Sequence, residues 1–331
     1  MKTFRLPLAG QAGAALLAFG LSLLLGPAGS ALAYSGAGAS VDAPFGVGQF
    51  AWRLAQPTVF PPARAFGGAA YDAATRSIVL IGGQTLSGPG VVCFPGTWTW
   101  NGATWTAQNP ANSPSASEAC TADVAYDAAN QTVVLLADDQ TTWSWNGTTW
   151  TLRASAGGPA TPLDSALAYD ATTGYVLALD ADGTTWVWDG TSWTERFPAT
   201  TPDHTNGGSL AFDAANQTLL YFAVDGTTWT WDGTNWTEQY SEISPSWRQY
   251  ATMVYDDTRH TVILFGGLGQ SANALADTWS WNGKTWSRLS TPLAPSARYA
   301  SAGGFDAATG TFVLFSGTST HIAPADTWVG K

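Results

Sequence analysis

Thr185-Trp186-Val187-Trp188-Asp189-Gly190-Thr191-Ser192-Trp193-Thr194 reads as two short strands joined by a tight turn. Thr185 to Trp188 alternates with period two, and Asp189-Gly190 tolerates the positive φ that a two-residue hairpin demands. The underlying block, Trp-x-Trp-(Asn/Asp)-Gly-x-x-Trp, occurs five times, at Trp98 to Trp105, Trp143 to Trp150, Trp186 to Trp193, Trp229 to Trp236 and Trp279 to Trp286. An aromatic-Asp pair precedes each block: Tyr71-Asp72, Tyr126-Asp127, Tyr169-Asp170, Phe212-Asp213 and Tyr255-Asp256. A sixth pair, Phe305-Asp306, leads only into Asp326-Thr327-Trp328. Successive pairs lie 55, 43, 43, 43 and 50 residues apart, the spacing of a radial β array.

The unit Asp164 to Thr194, which contains this block, holds four strands in 31 residues. Ser165 to Tyr169 turns through Asp170 to Gly174 into the apolar run Tyr175 to Leu179. Asp182-Gly183 then leads to the paired strands Thr185 to Trp188 and Ser192 to Thr194. The second strands of other units, such as Val133 to Leu136 and Val262 to Phe265, are continuously apolar, as expected when both sheet faces pack on neighbouring blades. Of 18 tryptophans, all but Trp247 occupy repeated strand positions, which assigns them to wedge-shaped packing between blades. The sixth unit lacks a fourth strand, and the N-terminus supplies one: Trp52 precedes Arg64 by twelve residues, as Trp286 precedes Arg298. The expected fold is all-β: a six-bladed β-propeller of four-stranded antiparallel blades, with Phe50 to Leu54 beside Thr327-Trp328 closing the last blade.

The domain plan follows. Lys2 and Arg5, an apolar stretch from Ala14 to Leu25 and the small-residue run Ala31-Leu32-Ala33 have the order of a secretory signal over residues 1–33. The alternative, a retained membrane anchor, has an apolar stretch short of the ~20 residues a spanning helix needs. Residues 34–46 read as a flexible lead-in and 47–331 as one propeller, so the expected localisation is extracellular with no stable membrane span. Cleavage would remove two basic residues and no acidic one, taking the formal charge from -11 to -13. That sign does not suit a nucleic acid partner.

These residues resemble kelch-repeat propellers. The matching features are the Arg before the first strand (Arg64, Arg248, Arg298), the Gly-Gly pair ending the second (Gly82-Gly83, Gly266-Gly267), and the Thr-Trp-x-Trp run followed by a last Trp. Units two to four lack both the Arg and the Gly-Gly pair. The resemblance implies a galactose-oxidase-like central domain architecture and raises copper-radical chemistry for testing. Such a site looks for two His, two Tyr and a Cys joined to one Tyr. The three histidines are His204, His260 and His321, with His260 in a turn on the opposite face, so no cofactor or metal is expected.

Length variation falls on the face where blade links and second-to-third-strand loops emerge, with long excursions at Gln84 to Gly96, Leu268 to Asp277 and Thr318 to Asp326. That face is the expected recognition surface. Cys93 and Cys120 both fall on it, on adjacent blades, and in an exported chain they are expected to form a disulfide. The ligand-binding candidates are Trp247, Arg248, His204, Glu118, Arg64, Arg298 and His321. Trp247 is placed at the channel mouth, either as an aromatic platform flanked by Arg248 and His204 with Glu118 across the ring, or as a loop residue packed on its own blade link. For the arginines, the structural reading is bonding of backbone carbonyls between blades.

Two function classes remain. One is a secreted, non-catalytic binding or scaffold propeller that recognises a glycan, a protein or peptide, or a cell-wall polymer on the loop-rich face. The other is an extracellular carbohydrate-active enzyme, a hydrolase or lyase drawing on carboxylates such as Glu118, Asp138, Asp139 and Asp164. The first is the expectation, with no catalytic residue assigned.

Overall fold

The computed structural model describes residues 49–87, 90–155, 157–159, 164–203, 205–319 and 324–331. The expected signal (1–33) and lead-in (34–46) lie outside the described residues.

Period-two segments separated by Asp- and Gly-bearing turns fold into six antiparallel four-stranded sheets. Blade 1 comprises Ala65–Asp72, Ser77–Ser87, Thr97–Trp100 and Trp105–Ala107, with Gly90–Cys93 paired to the extension of its second strand. Blade 2 holds Asp123–Asp127, Thr132–Leu136, Thr142–Trp145 and Trp150–Ala154. Blades 3 and 4 run from Ala166–Asp170 to Trp193–Arg196 and from Ser209–Asp213 to Trp236–Gln239. Blade 5 runs from Thr252–Asp256 to Trp286–Leu289. Blade 6 takes Ala302–Asp306, Thr311–Phe315 and Thr327–Gly330 from the C-terminus and Trp52–Ala55 from the other end of the chain. The closing register is Trp52 opposite Gly330 and Ala55 opposite Thr327. Reciprocal backbone bonds between Ala51 and Lys331, at 2.8 and 2.9 Å, extend it. The ring therefore has no open edge at its seam.

The apolar second strands form the packing layers. Ile78 to Ile81, Val133 to Leu136 and Val262 to Phe265 are all buried, and each hydrophobic cluster joins two adjacent blades. The third- and fourth-strand tryptophans of blades 1 to 5 meet in tilted pairs with centroids 5.3 to 5.5 Å apart. The fourth-strand indole then donates its N–H across the seam to the Thr that opens the third strand of the preceding blade. Trp105 bonds Thr327, Trp150 Thr97, Trp193 Thr142, Trp236 Thr185, Trp286 Thr228 and Trp52 Thr278, at 2.8 to 3.0 Å. One repeated Trp and one repeated Thr thus build six buried contacts, which explains why both recur in the sequence.

The aromatic-Asp pair has a local role. Each Asp is buried at the end of its first strand, and Asp72, Asp127, Asp170, Asp213, Asp256 and Asp306 accept backbone N–H groups of the turn that follows. Cys93 and Cys120 form the expected disulfide, linking the blade 1 hairpin to the strap that leads into blade 2.

Candidate functional site

Each first strand begins on the loop-rich face and runs beside the propeller axis. The six first strands and the residues just before them line an axial cavity of about 200 Å3, among them Phe66, Asp123, Ser165, Ser209, Tyr250 and Ser301. Its rim is set five residues before the aromatic of each aromatic-Asp pair, at Phe66, Thr121, Asp164, Gly207, Tyr250 and Ala300. Phe66, Tyr250 and Ala300 hold φ of 59°, 54° and 51°, a left-handed conformation that non-glycine residues seldom adopt. A backbone relay over-determines it: Gly207 N–H donates to Asp164 O, Tyr250 to Gly207, Ala300 to Tyr250 and Phe66 to Ala300, at 3.3, 2.7, 2.9 and 2.9 Å. Local strain of this kind persists only where surrounding bonds fix it.

The strain aims side chains. Tyr250 crosses above Gly207, whose missing Cβ would stand 2.9 Å from the ring, and its hydroxyl donates to Asp164 Oδ1 at 2.8 Å. Phe66 packs edge-on against Tyr250 with centroids 5.1 Å apart, and Tyr299 joins at 6.5 Å from each. Burial, then the hydrogen bond and charge of Asp164, push the Tyr250 hydroxyl well above the usual phenol range, so it stays a donor.

The opposite sector is acidic. Asp123 accepts the N–H of Val124 at 2.9 Å and, across the blade seam, that of Leu167 at 2.8 Å. Its carboxyl is half-open to the bore yet enclosed by protein, and loss of solvent pushes it up to about 7 despite both hydrogen bonds. Asp138 accepts from the backbone N–H and hydroxyl of Thr121, and desolvation moves it upward too. An aromatic wall thus faces a wall of carboxylates and hydroxyls.

The sequence candidates are distributed differently. Trp247 is half-buried and does not line the axial cavity; it borders a separate recess of about 260 Å3 with Asn206, Val224, Asp225 and Gln249. This corrects its expected place at the channel mouth: the rim register lies three residues later, at Tyr250. Arg64, Arg248 and Arg298 are buried, and they bond carbonyls of their own blade rather than bridging blades. Glu118 Oε2 accepts Ser115 N–H at 2.6 Å, a local cap on blade 2. Trp247 and Glu118 therefore stand on blades 5 and 2 without a shared cavity. His204 and His321 lie outside the described residues. His260 stands 3.3 Å from the Tyr255 hydroxyl, in the turn after the blade 5 first strand. Asp182 and Asp225 close their Asp-Gly turns through Thr184 and Thr227.

Asp123, Phe66 and Tyr250 were not singled out by sequence reasoning. One signal for Asp123 exists: its register holds Gly68, Ala166, Ser209, Thr252 and Ala302 in the other blades, so it alone is charged.

No known family profile matches the chain, and no curated protein matches it. The solved structure of YjhT matches with a TM-score of 0.55 at 12% identity, covering 82% of this chain and 95% of that one. The protein is a six-bladed β-propeller. At such identity the likeness carries the fold alone, and the side chains at the rim carry any argument about ligands.

Proposed function

We propose that the protein is an exported, kelch-like binding propeller that holds a glycan or peptide ligand at the axial mouth of its loop-rich face. The observation that supports this reading is the divided rim: Phe66 and Tyr250, backed by Tyr299, on one side, and Thr121 and Asp123, with Asp138 bonded to Thr121, on the other. Aromatic faces stack on the apolar faces of sugars and on side chains, while carboxylates and hydroxyls accept ligand N–H and O–H groups. The disulfide fits an oxidising compartment. The test is a glycan and peptide array with chain 34–331 as wild type, Tyr250→Ala and Trp247→Ala. Tyr250→Ala is expected to weaken binding at least ~10-fold, about 1.4 kcal/mol, and Trp247→Ala to leave it near wild type. Unchanged binding in Tyr250→Ala would remove the mouth as the site.

One observation favours a second reading. A carboxyl held near pH 7 beside a cavity is suited to donate or take a proton, so Asp123 fits a general acid or base of a carbohydrate-active enzyme. Asp123→Asn separates the two: loss of turnover with retained ligand affinity would favour catalysis.

A further inference from the structure

Arg64, Arg248 and Arg298 occupy one register in blades 1, 5 and 6, and none is more than 2% exposed. All three hold the chain alike. Nε donates to the carbonyl two residues earlier, at 2.9 to 3.0 Å, and Nη1 to the carbonyl 18 residues later: Gly82, Gly266 or Ser316, at 2.7, 2.9 and 2.9 Å.

The outer edge of the guanidinium differs between blades. In blade 5, Asp277 accepts Arg248 Nη1 at 2.9 Å, Nη2 at 3.0 Å and the indole N–H of Trp279 at 2.7 Å, while Ser246 Oγ accepts Nη2 at 3.3 Å. Blade 6 repeats the set with Asp326, Trp328 and Ser296 around Arg298. Blade 1 keeps the donors, Arg64 and Trp98, but has Gly96 at the Asp position and Pro62 at the Ser position. Among the described residues, no carboxylate pairs with Arg64, and its Nη2 and the Trp98 indole N–H have no acceptor.

The space before these donors is open. A Cβ placed on Gly96 would meet nothing nearer than Trp98 Nε1 at 3.5 Å. The Asp277 and Asp326 side chains retain 14% and 24% exposure, so this register is reached from solvent in the sister blades. Phe94 lies over the face of the Arg64 guanidinium at 4.6 Å. Burial without a counter-charge lowers Arg64 to about 10, the direction expected for a cation short of its anion. A planar fork of two N–H groups, joined by an indole N–H, matches the two oxygens of a carboxylate.

We infer that Arg64 and Trp98 form a binding site for a ligand carboxylate, which takes the position that Asp277 and Asp326 fill in blades 5 and 6. The inference deepens the binding reading above and rests on it only for the biological ligand, since the site opens on the same face. The carboxylate of an acidic sugar and that of an acidic peptide residue share this chemistry.

The test uses chain 34–331 with 15N-labelled tryptophan and acetate as the probe, the Trp98 indole signal being assigned by Trp98→Phe. Acetate, at ionic strength held constant with chloride, is expected to move that signal saturably. Gly96→Asp supplies the carboxylate internally; it should show the signal already displaced, respond to acetate at least ~10-fold more weakly, and melt higher than wild type without acetate. Glucuronate and N-acetyl-aspartate amide, titrated in parallel, distinguish the two sources. A stationary Trp98 signal in wild type, or an equal response in Gly96→Asp, overturns the site. Should the acetate response fail while array binding persists, the mouth reading stands without this site; the reverse pattern retains the site and removes that reading.

Discussion

Trp52 donates its indole N–H to Thr278 Oγ1 at 3.0 Å, across 226 residues of sequence. The bond joins the first described strand to blade 5, and it is the sixth member of a ring whose other five use the fourth-strand tryptophans of blades 1 to 5. Trp52 also packs on Phe265 and Phe312, from blades 5 and 6, with centroids at 5.3 and 5.1 Å. Trp52→Phe removes the donor and strands a buried hydroxyl, so a loss of about 1–3 kcal/mol is expected. Trp52→Ala adds a cavity and should cost about 3–5 kcal/mol. Urea unfolding followed by tryptophan fluorescence measures both, and deletion through Ala55 should abolish the cooperative transition. A truncated protein that still melts sharply would show that the ring does not depend on its closing strand.

Blade count, closure and disulfide were legible because each rests on local chemistry or a fixed interval: Asp-Gly turns, period-two indoles, and the twelve residues from Trp52 to Arg64. The rim was not. Its register is defined by left-handed backbone at Phe66, Tyr250 and Ala300, which residue type does not announce. Trp247 drew attention by breaking the repeat, but a residue three positions before the rim faces another recess. Asp123 opens an ordinary strand, and its meaning emerges only when six blades are aligned about the axis.

Asp123 makes stability depend on pH in a definite sense. Its folded carboxyl is pushed up to about 7 by desolvation, above the unfolded value of about 3.9, so the folded state binds more protons between those limits. Its contribution is therefore greatest below the unfolded value and declines as pH rises through about 7. Asp123→Asn should lack this slope, gaining on wild type as pH increases. Urea midpoints at several pH values check it, and parallel curves for the two proteins would contradict the assignment.

Gly207 permits Tyr250 to reach Asp164. It adopts φ of 79°, and an added Cβ would stand 2.9 Å from the Tyr250 ring. Gly207→Ala should cost about 1–2 kcal/mol from backbone conformation and displace the ring from Asp164. Tyr250→Phe removes only the hydroxyl and leaves the packing against Phe66 in place. Thermal melts read the first effect, and tyrosine absorbance the second: the Tyr250 phenol, held well above its ordinary range in wild type, should ionise at lower pH in Gly207→Ala. An unchanged titration would mean that the ring keeps its place without the glycine.

Asp277 pairs with Arg248 at 2.9 Å, and Arg64 holds the same register in blade 1. Burial alone would raise the Asp277 carboxyl, but Arg248, through hydrogen bonds and charge, and the Trp279 N–H together hold it below the ordinary carboxylate range. The pair therefore stabilises the fold above the unfolded carboxyl value of about 3.9, and that contribution disappears as pH falls through the lower folded value. Asp277→Asn leaves a buried guanidinium without its charge partner, a change that costs about 3–5 kcal/mol at neutral pH, and it should flatten the acid limb of the stability curve. Among the described residues no carboxylate pairs with Arg64, so Arg64→Met should destabilise the protein less than Arg248→Met. Equal losses for those two substitutions would mean that the guanidinium bonds to backbone carbonyls, common to both blades, outweigh the ion pair.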